Sequence, residues 1–178
     1  QLTLGQAIAS GAMGQLAALV AANKGSEIPL DAVNWLPVIT EPGQILCIGL
    51  NYDEHVRETR RERASHPTVF ARFARCQVGH EAPVLRPRES TMLDYEGELA
   101  IIIGKAGRRI EAAEAPDFIA GYSCYNDVSV RDFQRHTTQF HPGKNFPATG
   151  AFGPWMVTAE EIANYTQLRL ETRLNGVV

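Results

Sequence analysis

Asp94-Tyr-Glu96-Gly-Glu98 runs without a break into the apolar stretch Leu99-Ala-Ile-Ile-Ile103. Successive side chains of a β-strand alternate between faces, so Asp94, Glu96 and Glu98 share one side. The isoleucines that follow predict a long core strand from Tyr95 to Gly104, and that strand draws the carboxylates toward the interior. A row of like charges there repels itself and desolvates at a cost, which pairing, protonation or a bound cation relieves. Oxygen donors of this kind suit the hard cations Mg²⁺, Mn²⁺ or Ca²⁺. The competing reading is a wet strand face on which the three charges are simply solvated.

A second acidic position, Asn126-Asp127, follows the apolar strand predicted over Phe118 to Tyr125, where functional side chains often sit. Arg131, Asp132 and Gln134 come next, in a segment predicted as helix from Val128 to about Arg135. Arg131 and Gln134 share a face (i, i+3), so both can address one anionic ligand. The alternative is a helix N-capped by Asp127. Asn51 to Arg63 reads as a polar helix after the buried strand Ile45–Leu50, with His55 and Glu58 one turn apart. That pairing raises the basicity of the imidazole and suits it to strip a proton from water. Gly143-Lys144-Asn145 sits in a loop punctuated by Pro and Gly. It lacks the glycine spacing and Ser/Thr of a phosphate loop, so Lys144 is either an exposed lysine or a partner for a substrate carboxylate. His66, His80, His136 and His141 read as surface or structural.

The rest of the chain predicts more strands than helices: strands over Thr68–Phe73, Pro83–Leu85 and Trp155–Val157, and a short helix over Ala159–Ile162. Residues 3–23 read as helix opened by a Thr3/Gln6 capping box, with Gly11 and Gly14 able to split it. Pro29, Pro37 and Pro42 mark a connector. The expectation is therefore an α+β fold with a small N-terminal lobe over 1–42 and a main domain over 43–178. Leu168–Leu174 alternates like a strand and meets the hairpin signal Asn175-Gly176 with only two residues to follow, so the chain reads as a fragment lacking the returning strand. A net charge of -3 and a pI near 6.0 supply no basic footprint for nucleic acid or an anionic membrane. No apolar run approaches the ~20 residues that span a bilayer. Cys47, Cys76 and Cys124 lack any C-x-x-C spacing, and two lie in strand-like stretches that predict buried reduced thiols. With no secretory signal visible, the expected compartment is the cytoplasm.

Taken in order, these segments resemble the fumarylacetoacetate hydrolase family. The matching elements are Ile48-Gly-Leu-Asn-Tyr52 with His55 and Glu58, Asp94-Tyr-Glu-Gly-Glu-Leu99 running into Ile103-Gly-Lys105, and Gly121-Tyr122 leading to Asn126-Asp127-Val-Ser129. They continue through Arg131-Asp-Phe-Gln134, Gly143-Lys144, Gly153-Pro-Trp155 and Asn175-Gly176. The resemblance implies a strand-rich mixed β-roll, a homodimer and an active-site metal, commonly Mg²⁺. By that pattern Glu96, Glu98 and Asp127 are the metal ligands, Asp94 is not, and His55 with Glu58 activates water. Arg131, Gln134 and Lys144, with Tyr52 nearby, would hold a small oxo-acid substrate. Two positions depart from the pattern: Arg72 stands where Lys is common, and Asn145 where Ser or Thr is common. The leading expectation is a hydrolase that cleaves a C–C bond of an acylpyruvate or β-diketo acid. The alternatives are an isomerase, hydratase or oxaloacetate decarboxylase of the same family, and, from another class, a non-catalytic metal-binding protein.

Overall fold

The capping box forms as predicted. Thr3 Oγ1 accepts from the Gln6 N–H at 3.2 Å and Gln6 Oε1 accepts from the Thr3 N–H at 3.0 Å, which opens α1 (Leu4–Ala9). Gly11, at φ 69°, ends that helix in a conformation few other residues adopt. The chain re-enters helix as α2 (Met13–Ala21), which keeps Gly14 inside it. The computed structural model describes residues 2–22, 25–52, 65–162 and 164–178. Nearly all of the helix predicted over 51–63, including His55 and Glu58, lies outside the described residues.

The strands are β1 (Ile45–Gly49), β2 (Thr68–Arg72), β3 (Gln77–Val78), β4 (Leu93–Asp94), β5 (Gly97–Ile103), β6 (Ile119–Asp127), β7 (Ser129–Val130), β8 (Gly150–Phe152) and β9 (Val157–Thr158). Two one-turn helices, α3 (Arg131–Gln134) and α4 (His141–Lys144), lie between β7 and β8. The central sheet runs β3-β8-β6-β5, with β9 also on β6. It is mixed, because β3 and β8 are parallel while the other pairs are antiparallel. The strand-rich α+β architecture expected from the sequence is the one observed.

Cross-strand pairing aligns Glu98 with Tyr125, Tyr125 with Phe152, and Asp127 with Gly150. Paired residues share a face, so one face of the sheet carries Glu98 and Asp127 at one end and Ile102 at the other. The apolar end is the core, where Ile8 of α1 meets Ile102 and Phe152, with Ala100, Tyr125, Met13 and Met156 packed around them. The charged end is the candidate site.

Several local expectations are revised. The strand over 45–50 is buried on one face only: Leu46 is 62 % exposed and Ile48 45 %, because β1 pairs with β2 alone and turns Cys47 inward. Pro83–Leu85 is not a strand, since Leu85 makes a lone bond to the Ala148 carbonyl. The helix predicted from Val128 begins only at Arg131. Val128 and Val130 are buried, and Ser129 pairs with Asp94 as strand. Lys144 ends a turn of helix instead of an open loop. Leu168–Leu174 forms no strand, although Asn175 and Gly176, at φ 52° and 82°, make the predicted turn that bridges Leu174 to Val177. Among the thiols Cys76 is buried, while Cys124 is exposed.

Candidate active site

Strand geometry brings the acids together. The Asp127 N–H donates to the Glu96 carbonyl at 2.8 Å, and Asn126 Oδ1 accepts from the Glu96 N–H at 3.0 Å. The end of β6 therefore locks the turn between β4 and β5. Glu96, Glu98 and Asp127 line one open cleft of about 2180 Å³, together with Tyr52, Arg131, Gln134 and Lys144. Every predicted site residue that the structure describes borders this cleft. His55 and Glu58 lie outside the described residues.

Three cations meet these acids. Lys144, only 1 % exposed, places Nζ 2.7 Å from Glu96 Oε2 and 2.7 Å from Asp127 Oδ2. Its ammonium also lies 5.1 Å from the centre of the Phe70 ring. Arg131 donates Nε to Asp94 Oδ2 at 2.8 Å, and its guanidinium also bonds Glu96 Oε1 at 2.5 Å and Gln134 Oε1 at 3.0 Å. The (i, i+3) relation of Arg131 and Gln134 thus builds one hydrogen-bonded pair. Arg72, at 2 % exposure, bonds Asp127 Oδ1 at 2.5 Å, the Val128 carbonyl at 3.2 Å and Thr149 Oγ1 at 2.8 Å. Ser129 Oγ completes the set, 3.0 Å from Glu96 Oε1.

Gly143 is needed to place Lys144. A Cβ at that position would overlap the backbone of Gln134, so only glycine lets α4 close onto α3.

The carboxylates differ in state. Burial alone would raise the Glu96 carboxyl, but Lys144 and Arg131 outweigh it and hold it below its ordinary value. Glu98 is pushed the other way, to about 7, by burial first and then by Glu96 and Asp127; the Tyr52 hydroxyl beside it and Lys144 only partly offset this. Tyr52 is itself raised by burial and by Glu98, and its hydroxyl accepts from the Leu99 N–H at 3.3 Å.

Among the described residues, no three His, Cys, Asp or Glu side chains converge to cradle a metal ion. Lys144 lies between the Glu96 and Asp127 carboxylates instead. The donor chemistry still fits a hard cation, because Glu96, Glu98 and Asp127 offer only oxygen, and Glu98 makes no ion pair among the described residues.

Arg72 is the site residue that the strand and helix pattern passed over, with Thr149 behind it and Ser129 against Glu96. The available signal was a charge in the apolar run Val69-Phe-Ala-Arg72, since a buried cation requires an acid. That is the reasoning that drew attention to Glu96.

The family profile described as "Fumarylacetoacetate (FAA) hydrolase C-terminal" matches residues 44–178. The oxaloacetate tautomerase YisK of Bacillus subtilis is 40 % identical over 154 residues, 85 % of this chain and 50 % of the relative. The mitochondrial oxaloacetate tautomerase Fahd2a of Rattus norvegicus is 36 % identical over 152 residues, 85 % of this chain and 49 % of the relative. Among solved structures, 2-hydroxyhepta-2,4-diene-1,7-dioate isomerase from Mycobacterium marinum superposes with a TM-score of 0.65 at 34 % identity, covering 75 % of this chain and 49 % of its own. The chain spans about half the length of these relatives.

Proposed function

Because the chain belongs to the fumarylacetoacetate hydrolase family, we propose that it carries the active site of an isomerase for a small 2-oxo dicarboxylic acid. The specific reaction is keto–enol tautomerisation of the oxaloacetate type. The C–C hydrolysis that led the sequence reading gives way to its isomerase alternative, which the names of the bacterial, rat and mycobacterial proteins support. The observation that carries the reading is the buried Lys144 ammonium at the carboxylate end of the cleft, with Arg131 and Gln134 on the same wall.

Tautomerisation moves one proton: the enol oxygen loses it while the carbon next to the C–OH carbon gains one. The C=C bond becomes single and the C–O bond double, and no bond of the carbon skeleton breaks. The negative charge that collects on oxygen between these events needs a nearby cation in a site sheltered from water. Lys144 supplies that charge. Arg131 and Gln134 would orient a substrate carboxylate, with the Nε/Nη2 edge of the guanidinium already held by Asp94. Glu96, Glu98 and Asp127 would hold a divalent cation, Mg²⁺ first among the candidates, whose chemistry there is to polarise the 2-oxo acid. His55 and Glu58, which the resemblance gives as a water-activating pair, would here carry the proton, with Tyr52 beside the substrate.

The test uses the full-length protein. Decay of the enol absorbance of oxaloacetate is followed with Mg²⁺ and with excess chelator, alongside assays for pyruvate and for cleavage of acetylpyruvate. Chelator-sensitive loss of enol without pyruvate is the expected result. Pyruvate from oxaloacetate would make the enzyme a decarboxylase, and acetate from acetylpyruvate would restore the hydrolase.

A further inference from the structure

The end of β2 and the end of α4 hold each other through one side chain. Asn145 Oδ1 accepts from the Phe73 N–H at 2.8 Å, and its Nδ2 donates to the Ala71 carbonyl at 3.1 Å. An amide that offers an acceptor to one backbone group and a donor to the other imitates a strand partner, and these two groups flank Arg72 on either side. The same Nδ2 donates to the His141 carbonyl at 3.2 Å, and the Asn145 carbonyl accepts from Cys76 Sγ at 3.0 Å. Asn145 is thereby fixed to both segments.

The residues it brackets converge on one acid. Arg72 reaches Asp127 Oδ1 from β2, and Lys144, the neighbour of Asn145, reaches Asp127 Oδ2 from α4. Thr149 Oγ1 accepts from the Arg72 guanidinium and donates to the Phe146 carbonyl at 2.6 Å, which sets the fork from behind. Each oxygen of Asp127 therefore has its own cation, and the relative position of the two cations is set by Asn145.

We propose that Arg72 and Asn145 are positioning residues that act as a single unit, setting where the Asp127 carboxylate stands relative to Lys144 and thereby its affinity for a divalent cation. The proposal rests on the metal reading given above. Groups that orient a ligand from behind typically contribute about 10–100-fold in metal affinity. A lysine at position 72 keeps the charge but loses the fork shared by Asp127, Val128 and Thr149. A serine at position 145 is too short to meet both Ala71 and Phe73.

The experiment compares full-length wild type, Arg72→Lys, Asn145→Ser and the double variant. Each is titrated with Mg²⁺ by calorimetry and melted in excess chelator to confirm that it is folded. Each single substitution is expected to weaken Mg²⁺ binding about 10-fold or more. The double variant should be no weaker than the poorer single, because either change already releases the unit. Asn145→Asp, which keeps the acceptor for Phe73 and loses the donor to Ala71, serves if Asn145→Ser does not fold. Folded single variants with wild-type affinity would overturn the proposal, as would a double variant whose loss is the product of the two. If the wild type binds no Mg²⁺, the metal reading itself fails and takes this inference with it.

Discussion

Glu98 is the odd carboxylate of the cleft. Glu96 and Asp127 each face two cations, whereas Glu98 has a tyrosine hydroxyl and two acidic neighbours. Its carboxyl is raised to about 7 in the folded chain from an ordinary value near 4.3. Between these limits the folded state holds the extra proton, so the stability contributed by this group falls as pH rises through that window. In chelator, Glu98→Gln should therefore melt above wild type at pH 8, with the difference vanishing near pH 4. An equal difference at both pH values would mean that Glu98 is solvated. Lys144 makes the opposite case. Replacing it by Met leaves Glu96 with Arg131 and Asp127 with Arg72, but takes away the ammonium they share. Breaking a buried pair of this kind costs about 3–5 kcal/mol, so Lys144→Met should show a clear loss in denaturant melts and lose turnover far beyond that loss of fold. Near wild-type turnover would remove Lys144 from the catalytic role.

At the scale of elements, the site depends on how closely two single turns of helix approach. Gly143 lets α4 touch the backbone of α3, so Gly143→Ala must push Lys144 or Gln134 aside. Forced overpacking costs about 1–3 kcal/mol, and here the displaced atoms belong to the site. The expected outcome is a drop in turnover larger than the loss of stability explains, checked by kcat beside denaturant unfolding. Ile102, at the far end of the same sheet face, should behave differently. Ile102→Ala opens a cavity against Ile8 and Phe152 and should cost about 2–5 kcal/mol, with kcat intact in the folded fraction. A matched loss of kcat would show that core and site are less separable than the sheet face suggests.

For the whole molecule, a cation that binds the folded site and not the unfolded chain stabilises it by mass action. Mg²⁺ at a hundred times its dissociation constant adds about 2.7 kcal/mol, so the melting temperature should rise with Mg²⁺ and fall back with chelator. The same titration on Glu96→Gln should be flat; a preserved Mg²⁺ shift there would remove Glu96 from the ligand set. How this molecule is legible from its sequence follows the range of the forces involved. The Thr3/Gln6 cap, the break at Gly11, the Asn175-Gly176 turn and the run into Ile103 are set by neighbours a few residues apart, and all are readable directly. The continuous strand predicted from Tyr95 does not form: Tyr95 and Glu96 make the turn between β4 and β5, and Asp94 and Glu98 lie in different sheets. Arg131 therefore reaches Asp94 and Glu96 across that turn and not along one strand face. β3 and β8 were not readable, because strands of two and three residues exist only through their pairing. Nor was the burial of Lys144, whose loop alone predicts an exposed lysine. Which acids, cations and turns the chain possesses can be read along the chain alone. Which cation faces which acid is set by long-range packing, because Arg72, Asp127 and Lys144 lie on separate strands and turns, and their pairing appears only when packing excludes water from all three.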